Sequence, residues 1–443
     1  MVMYACIEIF IFSDDSDDPS GLLVRLPRRL LNGKGQIRQR RKGPAKKLEP
    51  VNHYDSEEEE LASKYVAEWT DKDHGRLGSN IPAFVEPPLT YDPAMFDTLS
   101  SAYDYYKLFQ PDTWAREVIH QSQLYGVHKH HLKNCTDIDL DLYRCFEGML
   151  LQSGYHQVPR RKMQWEDKPD CWNKLVAESI RREEVDLILK CLHFRDNKDI
   201  DNDGFYKVRP IFDNLNRNGS KFFAGQCKYS VDEGIIPYFG RHSAKQFIKG
   251  KPIRYGFKVW ALCTPCGSGV WFEAYNGAHT RIKDVGLGYG NVVVGLAKKA
   301  NLGPGCELFF DNLFTSFPLL ERLSQLQIAG TGTVNANKLN KVPIMSKKEM
   351  KKPRVPRGTL QKLFQKDQCL VAWKDNNAVY AASNKYTADC DSTCRRFFKS
   401  TRQYNQVRTK RILYVMLTCS VNVTLSSKKI IIVCIFSRSP YQG

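Results

Sequence analysis

The sequence predicts an α/β protein: a mixed sheet with helices, preceded by a helical segment and a charged leader. Three observations carry that expectation. Apolar residues recur at helical spacing from Phe96 through the run RREEVDLILKCLHFRD at 181–196. From KYSVDEGIIPYF, residues 228–239, the period shortens and β-branched and aromatic residues take over. A helix-like run, NVVVGLAKKANLG at 291–303, then separates strand-like segments, so the sheet combines antiparallel and crossover connections.

The leader comes first in the chain. Residues 1 to about 90 alternate charge blocks, SDDSDD, RQRRKGPAKK and DSEEEE, and bury too little apolar surface to offset chain entropy, so a disordered segment is expected there. RQRRKGPAKK, residues 38–47, reads as a nuclear-import signal, a phosphate-binding arm or a solvated basic tail. The start, MVMYACIEIFIF, lacks the basic leader of a secretory signal, and no stretch reaches the roughly 18 uncharged apolar residues of a membrane span, so a soluble protein is expected. The 443 residues exceed what one core usually serves. Lys and Arg number 66 against 48 Asp and Glu, a net +18 that favours a polyanionic partner such as nucleic acid without choosing among them. The 14 cysteines are spread thinly beside apolar residues, as Cys191 and Cys369 are, which reads as reduced thiols.

YDYYKLFQPDTWAREVIHQSQLYG at 103–126 and the run at 181–196 should be amphipathic helices, the second burying Val185, Ile188, Leu189 and Leu192. His193 and the HKHH run at 128–131 suggest a metal, but no partner set lies at ligand spacing. KYSVDEGIIPYF should be a strand, and RYGFKVWALCTPCGSGVWFEAYNG at 254–277 a hairpin turning at CTPC. Asn291 should cap the helix that follows, with Gly303 past its end. CELFF at 306–310 suits a buried strand, and TSFPLLERLSQLQ at 315–327 a helix capped by Thr315 or Ser316, with Pro318 in its first turn.

Asp232 follows YSV on the first strand, and Asp311 closes the apolar run ELFF. If those strands are neighbours, two carboxylates meet at one edge, a costly arrangement unless a cation such as Mg²⁺ sits between them. Such a site suits metal-dependent strand transfer on a polynucleotide. The same residues also allow a structural reading, in which Asp311 caps the next helix with Asn312 in a turn and Asp232 pairs with a neighbouring Lys.

Three segments, VDEGIIPYFGRHSAKQFIKGKPIRYGFKVWALC, LFFDNLFTSFPLLERL and AGTGTVNANK, resemble the piggyBac family of transposases and the cellular proteins derived from them. The resemblance runs from about Phe96 to about Val407, with the two Asp separated by 311 − 232 = 79 positions. It implies an RNase H-like catalytic core at 227–407, a helical dimerisation and DNA-binding segment at 91–226, and a cut-and-paste reaction on double-stranded DNA in the nucleus. It also implies that Asp232 and Asp311 are catalytic metal ligands for Mg²⁺, that the protein is a homodimer, and that the basic stretch GRHSAKQFIKGKP at 240–252 touches phosphates through Arg241, His242, Lys245, Lys249 and Lys251. A solvated basic loop is the plainer reading of that stretch.

The chain departs from the family where a third catalytic Asp and a cysteine-rich zinc module are expected. FFKSTRQYNQV at 397–407 approaches that region, but residues 408–443 contain no Asp or Glu and form a non-family tail. Asp389 and Asp391, in TADCDST, lie before the expected position and are poor substitutes, since ligand geometry tolerates little error. GLGYGN at 286–291 lacks the spacing of a dinucleotide loop, and CTPC, Cys390 and Cys394 lack a second metal-binding pair, so no zinc site is expected. A DNA-binding protein with an incomplete acidic site is therefore the favoured expectation, ahead of an active transposase or a truncated product.

Overall fold

The computed structural model describes residues 68–410 except 157, 200, 239, 241, 249–253, 340–341, 388–390 and 399–401. Residues 1–67 of the leader, Asp389, Cys390 and most of the tail lie outside the described residues, as do Arg241, Lys249 and Lys251. From Glu68 onward the chain already lies against the core, earlier than the leader's expected end at residue 90. Apolar side chains explain this: Trp69 stacks edge-on to Phe317 at 5.0 Å, Phe84 joins the same cluster, and Thr70 exchanges backbone hydrogen bonds with Phe364.

Helices come next. α1 (Ala102–Phe109) starts at a capping box in which Ser101 and Asp104 satisfy each other's backbone donors. α2 (Asp112–His130) ends at His131 in the left-handed conformation, so HKHH is the last turn of a helix. α3 (Leu140–Ser153), α4 (Lys174–Ser179) and α5 (Arg182–Cys191) follow, α5 burying the expected Val185, Ile188 and Leu189. His193 stacks on Tyr125 at 4.1 Å and bonds Asn197 through Nε2, a packed core histidine. Among the described residues no helix is long and apolar enough to cross a membrane.

Among the described residues a nine-stranded mixed sheet forms the centre. β1 (Lys228–Pro237), β2 (Gln246–Phe247), β3 (Tyr255–Cys263), β4 (Gly269–Ala274), β5 (Glu307–Phe310), β6 (Ala329–Thr333), β7 (Leu360–Gln365), β8 (Gln368–Lys374) and β9 (Ala378–Ser383) stand in the order β2-β3-β1-β5-β6-β9-β8-β7, with β4 on β3. β3 runs antiparallel to β1, whereas β5 and then β6 run parallel to it. This is the mixed sheet of an RNase H-like core. α6 (Arg209–Phe223) precedes β1, while α7 (Gly290–Lys299) and α8 (Phe317–Gln325) supply the crossovers. A separate ribbon pairs β10 (Asp391–Phe398) with β11 (Gln403–Lys410).

The two faces of the sheet carry different cores. One face packs Ile236, Phe257, Val259, Ala261 and Phe272 against the helices before β1. The other packs Tyr229, Val231, Trp260, Leu308 and Phe310 under α7 and α8. Each fully buried large side chain contributes roughly 1.5–3 kcal/mol. The expected cap at Asn291 is corrected: the helix begins at Gly290 behind Tyr289. Asn291 turns its side chain back to the incoming loop, accepting from Val285 N at 3.0 Å and donating to Asp284 at 2.7 Å. A loop with unsatisfied donors outcompetes the helix terminus for that side chain.

α6 closes the sheet's edge in an unusual way. Asn216 mimics a strand: its Nδ2 donates to the Phe272 carbonyl at 2.9 Å and its Oδ1 accepts from Phe272 N at 2.7 Å, satisfying both groups on β4. Gly219 permits the approach, since a Cβ there would meet the Gly269 carbonyl at 2.6 Å. Arg209 enters the same seam, bonding Asp203 at 2.7 Å and Glu273 of β4 at 2.8 Å, and Lys299 of α7 holds the other Glu273 oxygen at 2.7 Å. Burial pulls the Arg209 guanidinium down and the Asp203 carboxyl up. Their mutual hydrogen bond and neighbouring charges outweigh it, leaving Arg209 above and Asp203 below its ordinary value. Glu273→Ala would leave the buried Arg209 with Asp203 alone and take from Lys299 its partner at 2.7 Å, opening one buried ion pair of the seam. The variant should lose about 3–5 kcal/mol in urea unfolding, and a loss under 1 kcal/mol would show that the seam does not fasten the helices to the sheet.

Candidate functional site

The parallel pair β1–β5 builds the site. Its last register positions are Val231↔Phe310, and both residues bury in the apolar cluster under α7 and α8. Strand alternation then sends the next residue of each chain, Asp232 and Asp311, to the opposite face, on backbones about 4.8 Å apart. The two predicted carboxylates therefore stand side by side where β5 ends and β1 runs on. Asp232 is half-buried and its Oδ1 accepts from Glu233 N at 2.8 Å; Asp311 is exposed and its Oδ1 accepts from Leu313 N at 2.8 Å.

The residues after Asp311 hold its turn. Thr315, fully buried, donates through Oγ1 to the Asp311 carbonyl at 2.7 Å, and Phe314 drops into the core edge-on to Trp260 at 5.5 Å. Ser316 caps α8 by accepting from Leu319 N, and Pro318 sits in the first turn, as expected. Asp311 is thus no helix cap. Beside Asp232, Lys258 of β3 pairs with Glu233 at 2.9 Å and lies 4.0 Å from the Trp260 ring centroid. Sequence reasoning missed Glu233 and Lys258. The signal was a lysine inside the otherwise apolar strand GFKVWALC, which needs a counter-charge to be buried. Behind the site Tyr229 is sealed from water, and burial pushes its phenol up to about 12.

The amino-acid sequence aligns with known proteins over the same region. The family model described as Transposase IS4 matches residues 101–415. The human PiggyBac transposable element-derived protein 3 is 36% identical over 294 residues, 65% of this chain and 49% of that protein. The chain belongs to the piggyBac transposase family. Human PiggyBac transposable element-derived protein 2 is 34% identical over 285 residues, 63% of this chain and 47% of that protein, so the chain spans about half the length of the curated relatives it matches. The cryo-EM structure of a piggyBac transposase synaptic complex with hairpin DNA superposes with a TM-score of 0.58 at 21% identity, covering 75% of this chain and 68% of that one.

Of the remaining predicted site residues, the two that are described, His242 and Lys245, lie beyond the other end of β1. His242 accepts from Ala244 N at 3.1 Å through Nδ1 and packs edge-on to Phe257 at 5.0 Å, so its ring belongs to the core. Lys245 donates to the Gly240 carbonyl, with its ammonium 5.8 Å from the Tyr255 ring centroid. From Asp232 to Pro237 is five residues, about 17 Å of strand, so His242 and Lys245 are not part of the carboxylate pair. Asp391 opens β10, outside the nine-stranded sheet.

Transposases with acidic sites generally use a divalent metal. Paired carboxylates are the right donors for a hard cation such as Mg²⁺. The number of donors falls short, however: among the described residues no group of three or more His, Cys, Asp or Glu side chains could hold a metal ion. Two carboxylates at adjacent positions repel each other. Asp311→Asn, which keeps the acceptor for Leu313 N, should therefore raise thermal stability by a few tenths of a kcal/mol to about 1 kcal/mol in metal-free buffer. Added Mg²⁺ should shrink the difference. A destabilised Asp311→Asn in scanning calorimetry would mean that the carboxylates do not repel.

Proposed function

We propose that this chain is a nuclear, transposase-derived protein that binds double-stranded DNA and no longer performs strand transfer. The observation that carries the reading is the carboxylate pair itself, Asp232 within β1 beside Asp311 at the end of the parallel β5, with no third acidic side chain joining them among the described residues. A complete acidic site holds a cation that stabilises charge on the attacking and leaving oxygens of a phosphodiester. Two ligands bind such a cation weakly and in incomplete geometry, and residues 408–443 contribute no carboxylate. Binding needs less. The net charge of +18 draws in phosphates, and each neutralised phosphate releases condensed counterions. The basic run at 38–47 supplies the nuclear address in this reading, and dimerisation comes with the family.

The test uses the full chain and a blunt duplex. Log affinity should fall linearly with log salt, with a slope steeper than about −4 if five or more phosphates are contacted. End-labelled duplex should remain uncut in Mg²⁺. A flat salt dependence would remove the DNA-binding reading, and cleavage that required Mg²⁺ and vanished in Asp232→Ala would restore strand transfer.

A further inference from the structure

β2 lies on the outer side of β3, where Gln246 and Phe247 pair with Gly256 and Tyr255. Gly256 is squeezed between strands, since a Cβ there would lie 2.1 Å from the Ile236 carbonyl, so the end of this hairpin is held tightly against β1. The cross-strand partners Phe247 and Tyr255 are both large, and both are open to water: Phe247 is 56% and Tyr255 46% exposed. Their rings touch, with centroids 4.9 Å apart at 42°. Cations flank them. The Lys245 ammonium is 5.8 Å from the Tyr255 ring centroid, and exposed Arg254 stands just before Tyr255, the first residue of β3.

An outer strand that shows aromatic rings to water runs against the usual protection of sheet edges, which favours charged side chains there. Exposed rings beside cations are what an unpaired nucleobase needs, with a π-face to stack on and a positive charge for its phosphate. We propose that Phe247 and Tyr255 form a stacking platform for an unpaired base of DNA, resting on the DNA-binding reading above. From Tyr255 to Ala261, the register partner of Asp232, is six residues of β3, about 20 Å. That is the rise of roughly six base pairs, so a strand stacked at the platform reaches the carboxylate pair half a helical turn away.

The full chain should be titrated with a blunt duplex and with the same duplex carrying a short single-stranded overhang that contains 2-aminopurine. The overhang should bind more tightly, and its fluorescence should be quenched on binding as the base stacks. Phe247→Leu with Tyr255→Leu keeps apolar volume but removes the rings. It should weaken overhang binding roughly 5- to 150-fold and abolish the quenching, whereas Phe247→Trp should retain both. Blunt-duplex binding without overhang preference or quenching would overturn the platform alone, and failure to bind either DNA would overturn the underlying reading too. If sedimentation showed the Leu variant losing self-association while its DNA binding was unchanged, the exposed rings would be a contact between copies of the chain and the platform would fall.

Discussion

The parallel register of β1 against β5 is the constraint on which the rest of the structure depends. Val231 faces Phe310, and each is followed by an aspartate. A slip of one residue would turn Asp311 into the apolar cluster and move Phe310 to the opposite face, because side chains alternate with a period of two. Both sides of the sheet resist that slip. Tyr229, Val231, Leu308 and Phe310 bury on one face. On the other, Glu307 is held by Lys385 at 2.7 Å and by the Tyr386 hydroxyl, which ties the start of β5 to the segment after β9. Beyond the strands, Glu307 N donates to the Cys227 carbonyl at 2.7 Å and Ala329 N to Cys306 at 2.8 Å, so β1, β5 and β6 enter the sheet in step.

The helices before β1 serve the same register from a distance. They cover the face of β1 and β3 on which Asp232 stands, and α6 fastens them through Asn216, Arg209 and Glu273 to β4. A buried guanidinium between two carboxylates is a weak source of net stability, but its geometry tolerates few alternatives. Seating α6 fixes the hairpin β3–β4, and β3 in turn places Ala261 opposite Asp232 and Lys258 within reach of Glu233.

Much of this was legible in the residues. The strand at 228–239, the hairpin at CTPC, the buried ELFF strand and the Ser316 cap all follow from local rules that the tertiary structure does not contest. The condition set on the two aspartates, that their strands be neighbours, is met by β1 and β5. Asn291 was misread because its amide has two uses, and only the folded loop at Val285 and Leu287 shows which prevails. The docking of Trp69 and Phe84 was hidden for a similar reason: isolated aromatics in a polar segment have no period, and their partners Phe317 and Gly305 lie far away in sequence. α6 lies within the segment 91–226 expected to be helical, but the use of Asn216 on the edge of β4 depends on a partner 56 residues away and has no local signal.

The carboxylates do more than hold the backbone. Asn at either position would keep the bonds from Glu233 N and Leu313 N, so what Asp adds is charge. Two negative charges in a chain of net +18 make one local spot that repels phosphate. If the chain binds DNA as proposed, that repulsion would disfavour a duplex lying across Asp232 and the end of β5 and favour contacts along the basic hairpin of β2 and β3. A divalent ion held by Asp232 and Asp311 would supply the opposite charge and remove that repulsion. In the DNA-binding reading proposed above, the same two residues would set which part of β1 a nucleic acid prefers, and the choice would turn on whether two oxygen donors can keep an ion that a third would have secured.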